Sequence, residues 1–271
     1  MDRARRRISR TAIFVVLCIV GVVMLFPFYF MTVTAFRSHD QYIAGSGFSL
    51  DSWKVLFDSI PVIQQLINST VVTAGAVLLI LAVSSSAGYA LAKLGFRGSA
   101  YVFIAVLAGM TVPMQSIIIP EFVNISQVGL INQYLGAILV YAALGVPFAT
   151  FLMTAYYRSI PNELVEASLM DGASFWQIFL RIMLPMSVPA LVTVGVLQVI
   201  QVWDDLLIGL LFLNRPDVRT ITVGLATLQS SRMVDVPALM AGSIISALPA
   251  IVVYLIFQRN LVAGLTMGVN K

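Results

Sequence analysis

Charge is scarce in this chain: Asp, Glu, Lys and Arg make up only 10% of its 271 residues, against about 25% in a soluble domain. Cysteine and histidine are scarcer still, at one each, Cys18 and His39. One cysteine excludes a disulfide within the chain, and one histidine beside one cysteine excludes a His/Cys metal cluster. Cys18 lies in an apolar run, where a small packed side chain is the default reading. His39 sits between Ser38 and Asp40 in a polar connection, so an intramembrane serine protease would lack its general base at membrane depth. The lysines are Lys54, Lys93 and Lys271, preceded by Trp53, Ala92 and Asn270, which excludes a Gly-Lys-Ser/Thr phosphate loop. No enzyme assembles from this inventory, and any use of ATP must be supplied by another subunit.

Apolar residues are what the chain has, at 59% of the sequence. The length accommodates about six membrane helices and leaves little for a soluble domain. The fold class expected is therefore all-α and polytopic. Apolar runs place spans at 11–36, 64–92, 99–119, 133–155, 188–213 and 238–257, the third with a helix break expected near Pro113 or Pro120. The domain plan is a basic N-terminus (1–10), a first span (11–36), an external loop with a short amphipathic piece around Trp53, Leu56 and Phe57 (37–63), a five-helix core that contains the loop 156–187 (64–258) and a tail (259–271). A second polar connection is expected around Glu121, Asn124, Gln127 and Asn132.

The net charge of +4 arises from loops and from Arg3, Arg5, Arg6, Arg7 and Arg10 rather than from a nucleic-acid-binding face. The run after those arginines is too long for a signal peptide and lacks a small-residue cleavage site, so it reads as a retained span. Arg37, Lys54, Arg215, Arg219 and Arg232 fall outside in this topology, and all other basic residues inside, which puts both termini in the cytoplasm. Within the second span, Ser84 and Gly88 form a small-residue face for close helix approach.

The apolar text breaks at 156–187. Pro161 suits a helix start, with Glu163 and Glu166 where the helix dipole favours carboxylates. Asp171-Gly172 supplies a turn, and Ser174 with Gln177 forms a capping-box pattern. The unit predicted is helix, tight turn, helix. Glu166-Ala167-Ser168, followed at fixed offsets by Gly172, Ile182 and Leu184-Pro185, resembles the cytoplasmic EAA loop of importer-type ABC transporter permeases. Ser168 stands where that family usually has alanine.

The resemblance implies a type I ABC importer permease fold in a bacterial inner membrane, in the branch that imports carbohydrates and related polar solutes. It implies that Glu163, Glu166, Ala167, Ser168, Asp171 and Gly172 couple to two separate ATPase subunits, which bind ATP and Mg; this chain itself holds no cofactor. A second, different permease and an extracytoplasmic solute-binding protein complete the expected partners. The tail resembles the ends of the same branch, which implies that Gly264, Leu265, Thr266 and Gly268 contact the ATPase, with Gly264 and Gly268 allowing a non-helical backbone.

Asp204-Asp205, after Gln198, Gln201 and Trp203, is the sharpest polar feature in a span. These carboxyls face the bundle interior or a wet cavity, because lipid contact is too costly. Trp203, Asp204 and Asp205 are candidates for the translocation path; capping of a broken helix, or bonding to a neighbouring span, is the structural alternative. QVWDDLL resembles the family's Trp-Asn-Asp passage, with Asp204 where asparagine is common. An ion-coupled secondary carrier is the rival class, although no internal repeat is visible.

Overall fold

A computed structural model describes residues 2–229 and 235–266. Among them the chain is helical: α1 (Asp2–Ala35), α2 (His39–Ala44), α3 (Asp51–Ser59), α4 (Val62–Lys93), α5 (Ser99–Met110), α6 (Met114–Gln127) and α7 (Tyr134–Ser159) come first. They are followed by α8 (Glu163–Met170), α9 (Phe175–Met186), α10 (Val188–Trp203), α11 (Leu207–Phe212), α12 (Ile221–Gln229) and α13 (Val236–Thr266). Arg232, Gly268 and Lys271 lie outside the described residues.

The chain divides into two compact units, one built on Met1–Val62 and Leu225–Ala247, the other on Ile63–Gly224 and Leu248–Lys271. In the first, α1 presents an almost wholly exposed apolar surface over residues 13–30, as a helix solvated by lipid requires. The chain reverses at Phe36, whose ring stacks on Phe48 at 5.5 Å and meets Trp53 at 5.4 Å. The expected amphipathic piece is α3, which buries Ser52 and Leu56.

The second unit is organised around α4 and α7, and the small-residue face predicted on α4 is used. Ser84 is fully buried, and a Cβ placed on Gly88 would lie 2.8 Å from Met153 Cβ and 3.0 Å from the backbone of Met153 and Thr154. At one end of this pair, buried Asn68 is saturated: it donates to the carbonyls of Asp217 and Arg219 and accepts from Tyr134 and Gln64. Ser69 accepts from the backbone N–H of Ile221, so consecutive α4 residues hold the 214–221 connection.

Four boundaries differ from the sequence reading. The third span is two helices, α5 and α6, bent by 98° at Thr111–Pro113; the break falls at Pro113, whereas Pro120 is accommodated inside α6. Glu121, Asn124 and Gln127 belong to α6 rather than to a loop, because Ile118 and Ile125, seven residues apart, bury one helical face. The fifth span stops at Trp203 and restarts at Leu207, since Asp204 and Asp205 take the backbone out of the helix. Lastly, α13 runs through Gly264 to Thr266; a lone glycine costs a helix only about 1 kcal/mol, too little to end one already propagating.

Gly88→Val tests the helix contact. Backbone atoms cannot give way as side-chain ends can, so the substitution should cost about 1–3 kcal/mol and lower the unfolding temperature in detergent, whereas Gly21→Val, with open space around it, should leave it unchanged.

Candidate functional site

Two places gather polar or exposed groups that folding does not consume. The first is the 156–187 segment. Its helix α8 starts after Pro161 with Glu163 and Glu166 in the first turn, both exposed. Asn162 gives its carbonyl to the N–H groups of Val165 and Glu166, while its side-chain Oδ1 accepts from Lys93 Nζ at 2.6 Å. The same ammonium also donates to the Ile160 carbonyl, so the last residue of α4 grips the approach to α8.

The exit from α8 is a complete Schellman turn. Gly172 has φ +81°, its N–H donates to Leu169 O, and the Ala173 N–H donates to Ser168 O. Ser168 turns its hydroxyl back onto the Leu164 carbonyl at 2.6 Å, which leaves the helix surface nearly as an alanine would. Ser174 and Gln177 then form the reciprocal capping box that starts α9. The local chemistry predicted for Glu163, Glu166, Asp171 and Gly172 is therefore present.

Sequence reasoning missed what holds this segment. Tyr89 of α4 donates to the Phe175 carbonyl and lies between Phe179, at 5.3 Å, and Tyr157. Tyr156 and Tyr157 of α7 reach the Met186 carbonyl and the Ser187 hydroxyl. Within α9, Phe179–Met183 forms a π-helical turn. Pro185 lacks an N–H and would crowd the Arg181 carbonyl in a regular helix, and a widened turn relieves both problems. Val165, Ile178, Phe179 and Met183 are buried, while Leu164, Leu169, Met170, Phe175 and Trp176 are exposed, Met170 at 88%. The result is an anchored knob with an acidic start and an apolar rim.

The second place is the α10–α11 break. Asp205 Oδ1 accepts the Ile208 N–H at 2.8 Å, capping α11, and the Tyr141 hydroxyl of α7 at 3.0 Å. Asp204 is exposed. Trp203 is buried and turns away, lining an apolar hollow with Thr73, Val77, Val199 and Val253. Trp203, the last residue of α10, and Asp205, in the break after it, line separate spaces. Asp205 instead shares a small chamber of about 40 Å³ with Tyr141, Gln198 and Gln201. Gln201 also lines a neighbouring groove of about 420 Å³ in the elbow between α5 and α6, together with Glu121. The signal available for Tyr141 was a phenol in an apolar helix, whose polar tip must find a partner.

The family described as "Binding-protein-dependent transport system inner membrane component" matches residues 84–266. The probable ABC transporter permease protein YurM of Bacillus subtilis (strain 168) is 32% identical over 276 residues, covering 100% of this chain and 92% of that protein. The diacetylchitobiose uptake system permease protein NgcG of Streptomyces coelicolor (strain ATCC BAA-471 / A3(2) / M145) is 30% identical over 256 residues, covering 92% and 84%. Among solved structures, a chain of a bacterial ABC transporter that imports the acidic polysaccharide alginate superposes with a TM-score of 0.79 at 22% identity, covering 93% of this chain and 96% of that one.

Asp205 variants separate cap from charge. Asp205→Asn retains an acceptor for Tyr141 and Ile208 and should change stability by less than about 1 kcal/mol. Asp205→Leu strands a buried hydroxyl and an N–H and should cost about 2–4 kcal/mol, read as a lower unfolding temperature of the purified protein.

Proposed function

The chain belongs to the family of binding-protein-dependent transport system inner membrane components, and from that premise we propose that it is a permease subunit of an ATP-driven importer for a carbohydrate or related polar solute. It is a multi-pass inner-membrane protein that works as a non-catalytic subunit. Nucleotide and Mg belong to two partner ATPase subunits, a second permease completes the membrane pore, and a solute-binding protein delivers the cargo on the far side. Both termini and the 156–187 knob lie on the cytoplasmic side.

The observation that carries this reading is the knob. Eight residues of helix end in a Schellman turn, are braced by Lys93, Tyr89 and Tyr157, and leave an apolar and acidic surface uncovered. A surface that is exposed yet rigidly seated suits the transmission of force from a second protein. Glu163, Glu166, Ala167, Ser168, Asp171 and Gly172 form the coupling element. Closure of the ATPase pair would push α8, and Tyr89 and Tyr157 would pass the movement to α4 and α7 as a rigid-body displacement. The tail, with Gly264, Leu265, Thr266 and Gly268, adds a second contact on the same partner; its resemblance to the sugar-importer branch supports this. The α10–α11 break, with Trp203, Asp204 and Asp205, borders the translocation path. No observation favours an ion-coupled carrier, which would function without an ATPase.

Gly172→Val in the assembled transporter is the test. A β-branched residue at φ +81° is strained and should spoil the turn by about 1–2 kcal/mol. The variant should reach the membrane, take up solute at least tenfold more slowly and lose ATPase stimulation by the binding protein. Undiminished uptake would count against the coupling role.

A further inference from the structure

The chamber at the α10–α11 break contains a group that folding leaves unsatisfied. Gln198 is 1% exposed, and its amide nitrogen, a double donor, has no hydrogen-bond partner among the described residues. Leaving such a group buried costs about 1–3 kcal/mol, and a leucine of similar volume would avoid the cost. Gln198 lines the chamber that Asp205, Tyr141 and Gln201 also line. Asp205 commits Oδ1 to Tyr141 and Ile208, whereas Oδ2 accepts nothing from the described residues. Two of the residues around one small space thus carry an unpartnered donor and an uncommitted acceptor, the pair that a hydroxyl group needs. With about 40 Å³ the chamber has room for a hydroxyl or hydroxymethyl group, since a water needs about 10–15 Å³ of such space.

The adjoining groove extends the match. Gln201, Met114 and Leu144 line both spaces, and the groove adds Glu121 over a mainly apolar wall. A pyranose presents that combination: hydroxyls at its rim and C–H groups on its face. Among the described residues, neither space is lined by a lysine or an arginine. Glu121 and Asp205 are its ionisable carboxyls, so a uronate, sulfonate or phosphate would meet acidic groups and no counter-charge, a mismatch that rejects the wrong solute.

We propose that this subunit itself contacts the cargo, through a hydroxyl-accepting subsite formed by Gln198, Gln201, Asp205 and Glu121 that admits neutral polyhydroxylated solutes and rejects anionic ones. The proposal rests on the importer reading but is separable from it. Saturation-transfer NMR on the purified complex of this chain with its partner permease and ATPase subunits, without binding protein, detects weak contacts directly. The probes are a neutral disaccharide, chitobiose or maltose, and digalacturonate.

The parent complex should show transfer to a neutral disaccharide and none to digalacturonate. Gln198→Leu should fold with an unchanged or higher unfolding temperature, yet reduce the neutral signal at least tenfold. Exposed Gln201→Leu, which tolerates replacement without burial cost, should reduce it likewise, and Gln201→Arg should admit digalacturonate. Equal signals from parent and Gln198→Leu, or equal binding of both sugar classes by the parent, would overturn the subsite. ATP-driven uptake by the complete transporter is measured in parallel. Uptake without these effects defeats the subsite and spares the importer, and the NMR pattern without any uptake does the reverse.

Discussion

A helix interrupted within an apolar span must find new partners for the backbone groups it releases, because hydrocarbon offers none. This constraint organises the core of the protein. At Thr111 the backbone N–H and the side-chain hydroxyl both turn back to the Ala108 carbonyl. At Ser187 the same device closes α9, through the backbone N–H and the hydroxyl onto Leu184. At the α10–α11 break, one carboxyl oxygen of Asp205 serves the new helix and the neighbouring α7 together. Each interruption is solved by a short polar side chain adjacent to the break, and each creates a bend or recess that a straight helix would lack.

The two candidate places differ in where these solutions stop. At α8 the exit is closed by the Schellman turn and the approach is held by Lys93, and the side chains of Leu164, Leu169 and Met170 remain uncovered. At the α10–α11 break Asp205 caps the new helix, while the buried Gln198 amide nitrogen has no partner among the described residues. The two places share helix α7, whose Tyr141 serves the chamber and whose Tyr156 and Tyr157 serve the knob. A displacement of α7 therefore reaches both.

The close approach of α4 and α7 at Gly88 makes that sharing mechanical. With backbone on backbone, the pair cannot absorb a push by rotamer changes as loosely packed side chains do. Lys93, at the end of the same helix, holds the approach to α8 through the Ile160 carbonyl and Asn162. The basic residue that served only as a topology marker in the sequence has a second task in the fold.

Local chemistry was readable from the residues themselves. Asp171-Gly172 and the Ser174/Gln177 pair specify helix ends by interactions spanning a few residues, so their geometry matches the reading closely, whereas Pro161 precedes the N-cap Asn162 rather than opening α8. Hydropathy located the four long apolar helices for the same reason, since lipid solvation acts on each segment alone, but it did not show that the third and fifth spans are broken. What the tertiary structure decided involves distant partners: Tyr141 with Asp205, Lys93 with Asn162, Tyr89 with Phe175, and the groove that brings Glu121 beside Gln201. It also decided which proline breaks its helix, because Pro120 and Pro113 are equivalent to a sequence and differ only in what packs around them. Short-range forces are written in adjacent residues; the burial of a glutamine is written nowhere until the helices meet.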